Sequence, residues 1–145
     1  MGHLTLSKVL QVRENEKKDA VLVYNQAIEK FENVATKLYQ ILRKKEMAEQ
    51  TVETYKETIT PIDSIIEQMT YIESLNQQII SLQTAVNEAR EEMELKQLLL
   101  TESHKEVKKF EKLIENRLLA EKNAQMKLDM AAMDEISIQQ FISKN

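Results

Sequence analysis

Thr58-Ile59-Thr60-Pro61-Ile62-Asp63 is the stretch on which the fold turns. Pro61 is the only proline in the chain and Gly2 the only glycine, so neither residue type interrupts what lies on either side. The residue before a proline is biased away from the helical region, which stops a first helix by about Ile59. Thr60 suits an N-cap, Pro61 the first helical turn and Asp63 the acid of a capping box, so a second helix starts almost at once.

Upstream of this break the apolar residues fall at alternating steps of four and three. The positions are Leu6, Leu10, Arg13, Lys17, Ala20, Tyr24, Ala27, Phe31, Val34, Leu38, Ile41, Lys45, Ala48, Val52, Tyr55 and Ile59. Thirteen of these sixteen are apolar, against about seven from random placement at 42% apolar residues. Val21, Ile28, Ala35 and Leu42 widen one flank. This is a heptad helix about 80 Å long at the standard rise. Downstream the same steps give Ile72, Leu75, Ile79, Leu82, Val86, Ala89, Met93, Lys96, Leu100, Ser103, Val107, Phe110, Ile114, Arg117, Glu121, Ala124, Leu128 and Ala131, fourteen of eighteen apolar. Ile62, Ile65, Ile66 and Met69 extend this stripe back to the turn. The expected fold is all-α, an antiparallel two-helix coiled-coil hairpin forming one domain over residues 1–145. Helix 1 covers about 4–59, the turn about 58–62 and helix 2 about 61–142.

The arms are unequal. With the turn centred near residue 60, residue i faces roughly residue 121 − i, so helix 2 beyond about 116 has no partner from helix 1. That stretch stays apolar, with Leu118, Leu119, Ala124, Met126, Leu128, Met130, Met133, Ile136, Ile138, Phe141 and Ile142. An uncovered apolar stripe marks an interaction site, and methionines suit an adaptable one. The alternatives are a tail that frays, folds back or dimerises. Within the paired region Arg13 and Lys17 lie roughly opposite Lys108 and His104, and Lys45 lies near Asn76. Polar residues at seam positions fix register at a cost in stability.

Composition removes most chemistry. With Gly2 alone, a glycine-rich phosphate loop is excluded, and without cysteine there are no disulfides, zinc knuckles, iron–sulfur clusters or thiol nucleophiles. A di-iron bundle uses Glu-x-x-His, but Thr101 stands three before His104, and the only other histidine is His3. No metal or cofactor is expected. Acid pairs such as Glu91-Glu92 and Asp134-Glu135 sit on open helices with no pocket to tune them, so no catalytic residue and no enzyme activity are expected. The net charge of −4 gives no basis for nucleic-acid binding. The basic runs at Arg43-Lys44-Lys45 and around Lys105, Lys108, Lys109 and Lys112 alternate with Glu, as on a solvated helix face. The longest uncharged run, Ser74 to Asn87, is rich in Gln, Asn and Ser, so no membrane insertion is expected. Met1-Gly2-His3-Leu4 has neither a basic nor an apolar leader region.

Four stretches resemble the FliJ family, the soluble coiled-coil component of the bacterial flagellar type III export apparatus, most closely its Gram-positive versions. They are Leu6-Ser7-Lys8-Val9-Leu10-Gln11-Val12-Arg13-Glu14-Asn15-Glu16-Lys17, Phe31 to Tyr39, Glu106-Val107-Lys108-Lys109-Phe110-Glu111-Lys112, and Met133-Asp134-Glu135-Ile136-Ser137-Ile138-Gln139-Gln140-Phe141. The resemblance implies a non-enzymatic stalk-like hairpin. In the family the open end docks in the ring of the export ATPase hexamer and promotes its assembly and activity. The protein also contacts the cytoplasmic domain of the membrane export gate and helps recycle export chaperones. The resemblance thus implies a place in the cytoplasm, peripheral to the cell membrane at the flagellar base. On this resemblance the ATPase-binding residues are Leu6, Leu10, Leu118, Leu119, Met126, Met130, Met133, Ile136 and Phe141. The gate-binding residues carried over are Ile41, Tyr71 and Leu75, whereas family tyrosines appear as Lys44 and Ala48 and a family histidine as Leu82. Other readings are the equivalent stalk of a virulence-type injection apparatus, or a structural coiled coil that dimerises through its C-terminal tail.

Overall fold

The computed structural model describes residues 2–144, apart from the side chain of His3. Two helices, α1 (Gly2–Glu57) and α2 (Ile62–Lys144), pack against each other, with no strand among the described residues. This is the all-α two-helix hairpin that the heptads require. The chain divides into two compact units, Ala20–Leu100 and Met1–Asp19 with Thr101–Asn145.

In the Ala20–Leu100 unit every seam position of α1 from Ala20 to Tyr55 is buried or half-buried, as is every seam position of α2 from Ile72 to Leu100. The deepest residues are Ala27, Ala48, Val52, Leu75, Ile79, Val86 and Ala89. Three of them are alanines, whose small side chains let two helix backbones come close. Leu75 is the deepest large side chain, at 1% exposure. Register follows the expected facing rule. Lys30 reaches Glu92 at 3.1 Å, and Arg90 lies over the Phe31 ring.

The break differs from the expectation by a turn's detail. α1 ends at Glu57, where the Thr58 hydroxyl donates to the Thr54 carbonyl at 3.2 Å. Ile59 therefore leaves the helix and is fully exposed at 107%, not a seam residue. α2 starts at Ile62 rather than Pro61, and the Ser64 amide donates to the Pro61 carbonyl at 3.1 Å. The Thr60 hydroxyl pairs with the Thr58 hydroxyl at 2.8 Å instead of capping α2. Asp63 stays in the first turn, where the helix dipole favours an acid. Of the four residues expected to carry the stripe back to the turn, only Ile65 is half-buried. Ile62, Ile66 and Met69 are exposed. The seam runs instead through Gln68, because steps of four and three back from Ile72 land on 68 and 65.

The second unit is thinner. Leu6, Leu10, Arg13 and Lys17 are half-buried against the stretch of α2 that holds Ser103, Val107, Phe110 and Ile114, and only Val107 is fully buried. Arg13 meets Glu106 and Phe110 rather than Lys108. Its Nε lies 3.9 Å from the Glu106 carboxylate and its guanidinium carbon 5.8 Å from the Phe110 ring centre. Its Nη1 also donates to both Glu16 oxygens, at 3.0 and 3.2 Å. Lys108 turns to Glu111 on its own helix. Arg13 Nε is buried without a hydrogen-bond partner. A guanidinium on a seam stacks its plane on an aromatic face and leaves an edge unsatisfied.

Candidate docking surfaces

The end of α1 sets the first surface. Gly2 lies beneath the Arg117 guanidinium, close enough that an added Cβ would displace it. Ile114 is the last half-buried residue of α2, and every residue from 115 to 144 is exposed. The sequence arithmetic placed this boundary at about 116. The overhang stays helical to Lys144 because it has no Gly or Pro and is rich in Leu, Ala, Met, Glu, Lys and Gln.

Its apolar residues do not continue the seam. Arg117, Glu121, Ala124, Leu128 and Ala131, the next heptad positions, are polar, small or widely spaced, and all are exposed. Projected at about 100° per residue, Leu118, Leu119, Met126, Met130, Met133, Ile136 and Phe141 instead fall within an arc of about 140°. The arc's centre is rotated about a third of a turn from the direction of Ser103, Val107, Phe110 and Ile114. Met133 and Phe141 are 68% and 70% exposed. Leu128, Ile138 and Ile142 project outside this arc and are exposed as well, so the overhang is apolar on more than one side, and its densest face is aimed differently from the face that holds α1. Leu6 and Leu10, assigned to the same site, sit half-buried in the α1 seam and not on this face.

The second surface lies in the Ala20–Leu100 unit, along one flank of the helix pair. One shallow groove is lined by Lys37, Gln40, Ile41, Gln78, Ser81 and Leu82. Another is lined by Lys44, Met47, Ala48, Thr51, Gln68 and Tyr71. Ile41 is half-buried in the first, and Tyr71 is 43% exposed at the second. Leu75 does not share this exposure. It is the centre of the core, so its plain reading as packing holds and any part in recognition is through what lies above it. The two lysines are the only charges lining these grooves, which makes the flank neutral to basic.

Sequence reading missed the rotation of the apolar arc and the Arg13–Phe110 stack. A helical projection of residues 115–144 alone, rather than continued heptads, would have found the first. No group of three or more His, Cys, Asp or Glu side chains placed to hold a metal ion occurs among the described residues, and no described helix is long and apolar enough to cross a membrane.

An exposed helical overhang on a two-helix coil is a shape shared by many proteins, so its family must come from sequence likeness. The family model for the flagellar FliJ protein matches residues 2–145. The chain belongs to the FliJ family. It is also 38% identical over 139 residues to a flagellar FliJ protein of Bacillus subtilis (strain 168), covering 93% of this chain and 92% of that one. No solved structure matches. FliJ membership makes the chain a component of flagellar protein export, and the whole-length match extends the resemblance seen in the four sequence stretches to the full hairpin.

Proposed function

We propose that this FliJ-family chain is a stalk-like, non-enzymatic part of the flagellar export apparatus. Its overhang docks in the export ATPase ring and promotes ring assembly and ATP hydrolysis. The observation that carries the reading is the apolar arc from Leu118 to Phe141, on a helix exposed throughout 115–144. A soluble chain gains nothing by holding so much apolar surface in water unless a partner covers it. Met126, Met130 and Met133 give that face the adaptability that a ring cavity of changing shape demands. Leu6 and Leu10 take part by holding the base of the overhang against α1.

The flank with Ile41 and Tyr71 is the surface proposed for the cytoplasmic domain of the export gate, with Leu75 beneath it. Export chaperones are further partners, and the working place is the cytoplasmic face of the membrane at the flagellar base. The placement of the two surfaces on different residues supports simultaneous contact with ATPase and gate. Ending the chain after Leu119 tests the first contact. The shortened chain keeps its half-buried seam through Ile114 and so stays helical and folded, but loses ATPase binding. Normal binding by the shortened chain refutes the assignment.

A further inference from the structure

The flank of the Ala20–Leu100 unit away from Ile41 and Tyr71 has the opposite character. A groove there is lined by Glu49, Val52, Glu53, Met69, Ile72 and Glu73. Met69 shares a face of α2 with Ile62 and Ile66, at steps of four and three, and all three are exposed. Ile62 to Met69 covers two turns, about 10 Å of helix. The charged residues lining the groove are Glu49, Glu53 and Glu73, with no cation among its lining. Lys45, itself half-buried, and Lys56 answer Glu49 and Glu53 only by local pairs at 3.8 and 3.3 Å along α1. Such pairs are worth little and exchange readily. No ion pair involves Glu73, whose Oε1 accepts only from the Gln77 amide at 3.4 Å.

Packing does not explain three large apolar side chains kept in water here, because the seam runs through Ile65, Gln68 and Ile72. Charge selects the occupant. An apolar strip about two turns long that ends at Met69 in a groove walled by Glu49, Glu53 and Glu73 fits the apolar side of a short helix whose margin at that end carries lysine or arginine. It repels an acidic segment and, equally, the same acidic groove of another copy. We propose that this flank is a docking site for a basic amphipathic helical segment of another protein, separate from both the overhang and the Ile41–Tyr71 flank.

The test uses the full-length, isotopically labelled chain and a synthetic amphipathic Leu/Lys helical peptide as probe, with a Leu/Glu peptide as its control. Amide shifts are expected along Glu49, Val52, Glu53, Ile62, Ile66, Met69 and Glu73, with none from the control peptide. The double variant Ile66→Ser with Met69→Ser and the double variant Glu49→Gln with Glu53→Gln each weaken binding by about tenfold, the loss typical of central contacts. All four positions lie outside the deepest core, and unchanged circular dichroism verifies the fold. Added salt weakens the parent complex more than that of the glutamine variant. Shifts spread over every acidic stretch, shifts confined to the overhang or to the Lys44–Tyr71 flank, or full affinity in both variants would each overturn the proposal. So would an Ile66-dependent dimer of the peptide-free chain in sedimentation equilibrium, which would give the strip to a second copy.

Discussion

Replacing Leu75 by Ala separates the paired seam from the overhang most sharply when set against Leu119→Ala. Both changes remove the same three carbons. Leu75 is 1% exposed at the centre of the Ala20–Leu100 core, and Leu119 is 55% exposed on the unpaired part of α2. At about 0.8 kcal/mol per buried carbon the transfer loss at Leu75 is about 2.4 kcal/mol. A cavity term adds to it, although a seam of only two helices has open sides and collapses more easily than a globular interior, so the total comes to about 3 kcal/mol. At Leu119 little burial is lost and Ala is the better helix former, which leaves a change within about 0.5 kcal/mol. Urea unfolding followed by far-ultraviolet circular dichroism measures both. If the two units melt separately, Leu75→Ala moves only the transition of Ala20–Leu100. A cost below about 1 kcal/mol for Leu75→Ala, or above about 2 kcal/mol for Leu119→Ala, would refute the division into covered seam and uncovered tail.

Two further predictions concern the devices that set the fold. Arg13→Met keeps the apolar stem over Phe110 and removes the unsatisfied Nε, so stability in urea stays level or rises by about 1 kcal/mol, and a loss above about 2 kcal/mol would show that the Glu16 and Glu106 contacts matter more than the burial costs. Pro61→Ala lifts the bar to helical geometry at Thr60, so some chains run α1 into α2 and pair with a second copy. Light scattering then shows a species near twice 16.9 kDa that the parent lacks, whereas a purely monomeric variant would mean that the remaining contacts of Thr58, Thr60 and Ser64 hold the turn without the proline.

The heptads carried the fold because burial in a two-helix coil depends mainly on angular position, and angular position is counted directly along the chain. Every seam position from Leu6 to Tyr55 and from Ile72 to Ile114 is covered as the count requires, and the loss of cover after Ile114 follows from where α1 runs out. Spacing does not give depth. It put Ala27, Leu38 and Leu75 on equal terms, although Leu75 alone is sealed and Leu38 is only half-buried. It also missed the ends. Ile59 keeps the heptad step but loses the helix, since the bias of Thr60 away from helical geometry before Pro61 ends α1 two residues earlier, at Glu57. Ile62, Ile66 and Met69 are apolar yet lie off the seam, so composition alone swept them into the stripe. Arg13 sits at the level the facing rule gave, between Glu106 and Phe110, but its partners differ from the residue directly opposite. A facing rule pairs backbone levels, whereas a long guanidinium reaches along the neighbouring helix to Glu106 and Phe110, four residues apart on one face of α2. Of the candidate sites, the overhang was legible because a missing partner is a matter of length. The direction of its apolar arc and the contrast between basic and acidic flanks needed the helices in place.

The central claim is that the uncovered end of α2 engages the export ATPase. Its most direct test titrates the full chain, and in parallel the chain ending at Leu119, into the purified flagellar export ATPase of the same organism, following ATP hydrolysis and ring assembly together. The full chain should raise both saturably, at about one chain per closed ring of six subunits, and the shortened chain should raise neither while keeping its helical signal. Equal activation by the two chains, or no response to the full one, would contradict the claim.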